Sequence, residues 1–208
     1  KEPMISGSGI PQVEGILTRN LKQNWFSVLF YKFVGGLICL GAGLSVGREG
    51  PSVQMGACVG EGVSEKTNKL DNEKKYLITS GASAGLSAAF NAPISGVMFS
   101  LEETHKNFSP FVLVSAMIAS LMADFVSKNF FGLTPSLYFE RLNSLPLKYY
   151  WGLIILGIII GTSGVIFSKG LLKTQDLYKK LNMSVEVKCI IPFIMTGILA
   201  LIFPIVLG

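Results

Sequence analysis

The sequence predicts an all-α membrane protein of short and broken helices, and three observations carry that expectation. Half of its 208 residues are hydrophobic and only 15% are charged, and the mean hydropathy of +0.51 is too high for an ordinary soluble domain. Residues 76–101, 149–168 and 189–208 carry no charge, and each is long enough for a bilayer core, which takes roughly 20 apolar residues. Glycine and proline break the apolar sequence at GSGIP (7–11), GREGP (47–51) and FNAPISG (90–96), where a continuous helix would be penalised.

Taken in order, the elements begin with a glycine-rich segment and a short helix predicted from Pro11, since proline suits the first helical turn. A loop with Arg19 and Lys22 leads to a helix over about 24–42, whose single charge, Lys32, is either functional or snorkelling. Gly41, Gly43, Gly47 and Gly50 then predict a break, with a new helix from Pro51 to about 63. The polar joint EKTNKLDNEKK is a loop. The small residues of GASAGLSAAF within a helix over 72–90 suit close helix packing in lipid. Asn91 and Pro93 end that helix and restart the chain as a second one over about 94–102. Helices over 109–128, which includes Asp124, 149–179 and 186–206 complete the pattern, with Pro192 and Pro204 as kinks or ends. No close internal repeat is present, and residues 1–208 leave no room for a soluble domain.

KEPMISGSGIPQVEG has neither a basic start nor a cleavage site, so no cleavable leader is expected and the chain reads as one that begins in mid-protein. The net charge of +5 collects at Lys66, Lys69, Lys74 and Lys75 and at Lys169, Lys173, Lys179 and Lys180. Both clusters are expected on the cytoplasmic side, and without interleaved aromatics they suggest no nucleic-acid surface. Cys39, Cys58 and Cys189 lack metal-ligand spacing and His105 lacks a neighbouring histidine or cysteine, so no metal is expected and all four are read as ordinary buried residues.

Backbone breaks at membrane depth need a reason, because unpaired N–H and C=O groups are tolerated there only when buried in protein or facing water. A helix that starts inside the membrane presents unpaired N–H groups and about +0.5 charge to whatever lies in front of it, which makes an anion site. In GSGIP, Gly7 and Gly9 permit close backbone approach, Ser8 offers a hydroxyl and Pro11 starts the helix. The bland alternative is a common glycine-serine turn before proline. GREGP repeats the grammar with Glu49 standing where an anion would be welcomed. A carboxylate at the bilayer centre costs roughly 2.5–3.5 kcal/mol. Burial favours its protonated form and the helix end its ionised form, so proton and external anion compete for one place. Arg48 is expected as a structural charge partner for this motif. Glu102 and Glu103 close an uncharged run, about 100° apart on a helix, and are otherwise a solvated helix end beside Lys106.

Together GSGIPQVEG (7–15), GREGPSVQMG (47–56) and AAFNAPISGVMFSLEE (88–103) resemble the CLC family of chloride channels and chloride/proton antiporters. The resemblance implies a bundle of short, tilted helices, with this chain as a partial CLC transmembrane domain: most of the first inverted half and the start of the second. It implies that Ser8 and the amides of Gly9 and Ile10 bind the central chloride, and that serine at this place favours chloride over nitrate. It implies that Glu49, supported by Gly47, Arg48, Gly50 and Pro51, gates the path and exchanges protons, and that Glu103 relays protons from inside. Channel members commonly lack that inner carboxylate, so the pair favours antiport over a gated channel. Gln12 departs from the glutamate common in relatives, and the family's second anion loop and its tyrosine are absent from these residues. A homodimer through helices like 94–102 and 110–128, a multi-pass location in the cell membrane and no cofactor beyond the transported ions are further implications. An inert assembly module and an intramembrane hydrolase using Ser8 are the readings from other classes; for the second, His105 has no triad spacing.

Overall fold

The computed structural model describes residues 2–18, 20–44, 46–106, 108–132 and 146–202, apart from the side chains of Val185, Glu186 and Cys189. Arg19, Pro204 and the side chain of Cys189 therefore lie outside the described residues. The chain forms two units, Lys1–Tyr138 and Phe139–Gly208.

In the first unit the order is α1 (Ile10–Leu17), α2 (Trp25–Gly41), α3 (Glu49–Lys66), α4 (Asp71–Phe90), α5 (Pro93–Phe99) with a π-helical continuation Ser100–His105, and α6 (Pro110–Phe131). The second unit holds α7 (Trp151–Lys180) and α8 (Val185–Ile202). Helix α6 and the stretch Leu147–Lys180 are long and apolar enough to cross a membrane.

Helix α3 begins at Glu49 rather than at the expected Pro51, because Arg48 already has αR geometry as N-cap. Pro51 then falls in the first turn, where its missing N–H is one the helix cannot pair. The break after α4 is made by Asn91 in the left-handed conformation (φ 53°), followed by Pro93 at the start of α5. The predicted helix over 94–102 ends its regular α geometry at Phe99. Beyond it the ladder slips to i→i+5, seen where Lys106 N–H donates to Leu101 O at 3.0 Å.

Helices α3 and α4 cross backbone to backbone. A Cβ on Gly56 would collide with the Gly81 carbonyl and one on Gly60 with the Leu77 carbonyl, so only glycine admits this approach. Around the crossing Val13, Ile16, Leu17, Val53, Ala57, Ile78, Ala82 and Leu86 form the buried core.

Helices α4 and α6 are joined by hydroxyls instead: Ser80 Oγ donates to Ser115 Oγ at 3.0 Å, Ser83 and Ser120 hydroxyls pair at 2.6 Å, and Ser87 Oγ donates to Ser120 O at 3.2 Å. Asp124, singled out as an intramembrane charge, is buried on the same face of α6 and binds Lys128 Nζ at 2.6 Å. The end of α3 is tied by Glu61, a buried carboxylate that accepts from Gln23 Nε2 at 2.9 Å and from Lys74 Nζ at 2.9 Å.

Candidate anion site and proton-exchanging residues

The two broken segments meet. Ser8 packs its backbone and hydroxyl onto Gly50, so closely that a Cβ at Gly50 would overlap Ser8 O and lie 2.8 Å from Ser8 Oγ. Gly9 is the N-cap of α1 with φ 106°, a left-handed conformation natural to glycine, and it is buried against Gln54, whose Oε1 would lie 2.7 Å from a Cβ there. The start of α1 and the start of α3 thus share one wall of a cavity of about 840 Å³ lined by Gly7, Ser8, Ile10, Gly47, Arg48 and Glu49 among others.

Each predicted group can be placed. Ser8 Oγ accepts from Ile10 N–H at 3.4 Å, which leaves the hydroxyl proton free to be given to an anion. Glu49 is the first residue of α3, and its carboxylate folds back over Gly47, where a Cβ would collide with Oε2. A side chain at Gly47 would therefore deny the carboxylate this position. Arg48 lines the cavity but makes no ion pair among the described residues, so its role as a charge partner is not seen. A carboxylate already sits at the helix start, and Arg48 is exposed there.

Lys32 is neither snorkelling nor free. It is 6% exposed, and its ammonium donates to Ile5 O and to Gly7 O, both at 2.8 Å. Peptide planes are rigid and trans, so holding those two carbonyls turns the following N–H groups, of Ser6 and Ser8, away from the ammonium. Gln54 adds a second hold: buried on α3, it donates from Nε2 to Met4 O at 2.8 Å. Gln12, the departure from the family pattern, donates from Nε2 to Ser6 O at 2.6 Å, a bond a glutamate carboxylate could not give. Lys32 stood out in sequence as a lone charge in an apolar run. Gln54 had no such signal beyond being polar one turn into α3.

Glu103 is not in the cavity. It lies in the π-helical segment with Glu102, both exposed, and the segment is anchored at two points. Lys106 forms an ion pair with Glu14 of α1, and that hydrogen bond holds the ammonium above its ordinary range. His105 Nδ1 lies 3.0 Å from Thr79 Oγ1 on α4, a partner the sequence did not suggest. Ser8 and Gly9 thus precede α1, while Glu14, in the middle of that helix, meets Lys106 of the segment that carries Glu103.

Two helix starts and a carboxylate that meet at one cavity, in an all-helical chain with helices long and apolar enough to cross a bilayer, are the features of an integral membrane protein. The profile of the family described as voltage gated chloride channel matches residues 1–208, and the chain belongs to that family. It is 38% identical over 183 residues to the H(+)/Cl(-) exchange transporter ClcA of Salmonella paratyphi B (strain ATCC BAA-1250 / SPB7), covering 86% of this chain and 39% of the relative. The ClcA of Salmonella newport (strain SL254) matches to the same extent. Among solved structures, a slow cyanobacterial Cl-/H+ antiporter matches with a TM-score of 0.81 and 38% identity, over 86% of this chain and 43% of that one. The chain therefore spans about two fifths of the length of these relatives. They are transporters, and the hydrolase reading of Ser8 falls away.

Proposed function

We propose that this chain is the anion-gating half of a chloride/proton antiporter. Ser8 with the amides of Gly9 and Ile10 receives chloride, Glu49 occupies the neighbouring place when ionised and leaves it when protonated, and Glu103 passes protons from the inner side. The observation that carries the reading is the seating of Glu49: a carboxylate at the first turn of α3, folded back over Gly47 and lining one cavity with Ser8. A chloride and a carboxylate that exclude each other from one helix start exchange one for the other, and protonation of the carboxylate makes that exchange draw on the proton gradient. The names of the relatives, exchange transporter and antiporter, support coupled exchange over a gated channel.

A homodimer belongs to the same proposal. It is supported by the exposed apolar face where α5 meets α6, with Ile94, Met98, Met117 and Leu121 lining a hollow of about 140 Å³.

The test is proton movement into liposomes holding the full-length polypeptide, driven only by a chloride gradient. Uphill proton movement, abolished in Glu49→Ala and in Glu103→Ala, is the expected result. Chloride flux with no accompanying protons would make the protein a channel and reduce Glu103 to a helix-end charge.

A further inference from the structure

Four consecutive peptide carbonyls lead up to Ser8, and each is held by a side chain from a helix. Met4 O accepts from Gln54 Nε2 of α3 at 2.8 Å, Ile5 O and Gly7 O from Lys32 Nζ of α2 at 2.8 Å each, and Ser6 O from Gln12 Nε2 of α1 at 2.6 Å. The N–H groups of the same stretch divide at Gly7. Those of Ile5 and Ser6 are spent on Glu2 O and Pro3 O, whereas those of Gly7, Ser8 and Gly9 have no acceptor among the described residues. Carbonyl oxygens repel an anion and N–H groups attract it, so the loop has its repelling atoms engaged and its attracting ones unspent.

Both glutamines leave their other end unmet. Gln12 Oε1 and Gln54 Oε1 are buried without a partner, which is costly for an acceptor. Turning either amide over would set its oxygen against a carbonyl oxygen, so what the loop takes from each is an uncharged donor. The bond at Ser6 has the most direct consequence. The N–H of that peptide is Gly7's, the first of the unspent ones, and a trans peptide points its N–H opposite to its C=O. The charged groups that line the cavity beside the loop are Lys32 of α2 and Arg48 and Glu49 at the start of α3, while Glu14 of α1 is paired with Lys106.

We propose that Gln12 is a positioning residue for the anion: its amide pins the Ser6–Gly7 peptide and so keeps the N–H groups from Gly7 onward available beside the cavity that Gly7 and Ser8 line. The inference rests on the reading of the Ser8 loop as the anion site. Gln12 acts through that peptide and not by holding the ion. An amide donates at every pH, so the loop keeps its form whatever the protonation of Glu49. A carboxyl in its place would hold Ser6 O only while protonated, and would give the site a second proton-sensitive group.

The experiment follows chloride binding to the full-length polypeptide by calorimetry from about pH 4 to about pH 8, either side of the ordinary glutamate value. The unsubstituted protein is compared with Gln12→Met and Gln12→Glu, each read as a ratio at the same pH, which removes the shared contribution of Glu49. Gln12→Met has neither donor nor charge and should bind about tenfold more weakly throughout, the scale of one carbonyl left without its donor. Gln12→Glu should match the unsubstituted protein at the acid end, where its carboxyl donates, and fall below it as the carboxyl ionises. Both variants are uncharged at the acid end, so the gap between them there measures the bond to Ser6 O. Equal binding by Gln12→Met and the unsubstituted protein, or a Gln12→Glu ratio that stays flat with pH, would overturn the inference. If Gln12→Met loses its helical circular dichroism, Gln12→Asn, an uncharged amide one methylene shorter, takes its place with the same expectation. No chloride binding by the unsubstituted protein would overturn the anion-site reading together with this inference, whereas binding that the variants leave unchanged would overturn this inference alone.

Discussion

Lys32, Gly50 and Glu49 divide the work of the proposed anion site at the scale of single side chains. In that proposal Lys32 contributes through the Ile5 and Gly7 carbonyls it grips. Lys32→Met would leave Ile5 O and Gly7 O without their charged donor, at a penalty of about 1–3 kcal/mol. Chloride binding by the full-length protein, followed by calorimetry, should weaken about tenfold or more. Gly50 contributes by absence. A methyl group there meets Ser8, so Gly50→Ala should push the two loops apart and abolish chloride binding while circular dichroism stays helical. Glu49 contributes by occupancy, and its replacement belongs to the flux test above.

Among the elements, the α3–α4 crossing and the α4–α6 seam are held by opposite means. Gly81→Val sets a branched side chain against the backbone of α3 and should destabilise the bundle by about 1–3 kcal/mol, read as a lower melting temperature in detergent. The seam is weaker bond by bond. A double-mutant cycle on Ser83→Ala and Ser120→Ala should return a coupling of about 0.6 kcal/mol, the usual scale for a hydrogen bond between membrane helices. The sequence displayed most of these elements, because glycine and proline mark breaks chemically: Asn91 and Pro93 gave away the end of α4, and GSGIP the start of α1. It placed the start of α3 two residues late, because proline fits any position of a first turn and Glu49 can open the helix itself. The π continuation after Phe99 was invisible, since no residue type specifies an i→i+5 ladder. The grip of Lys32 and the bond from His105 to Thr79 were equally hidden, each joining residues 25 or more positions apart.

At the level of the whole molecule, the chain spans about two fifths of the relatives it matches, and its surface agrees with a part made to be covered. Helix α7 buries none of its most apolar stretch, and Ile94, which lines the hollow between α5 and α6, is 76% exposed. Replacing Met117 by Trp should overfill that hollow and shift the full-length protein toward monomer in light-scattering measurements, with chloride binding retained because the anion loop is elsewhere. The Gly56–Gly81 contact has a consequence for how such a protein can move. Where two backbones touch there is no side chain to compress or re-rotamer, so α3 and α4 behave as one stiff strut. Under the proposed function, the gate carried on Glu49, the first residue of that strut, cannot open by sliding the helix beneath it. The travel left to it is the swing of three methylene-linked torsions, a short, fast stroke that leaves the scaffold still.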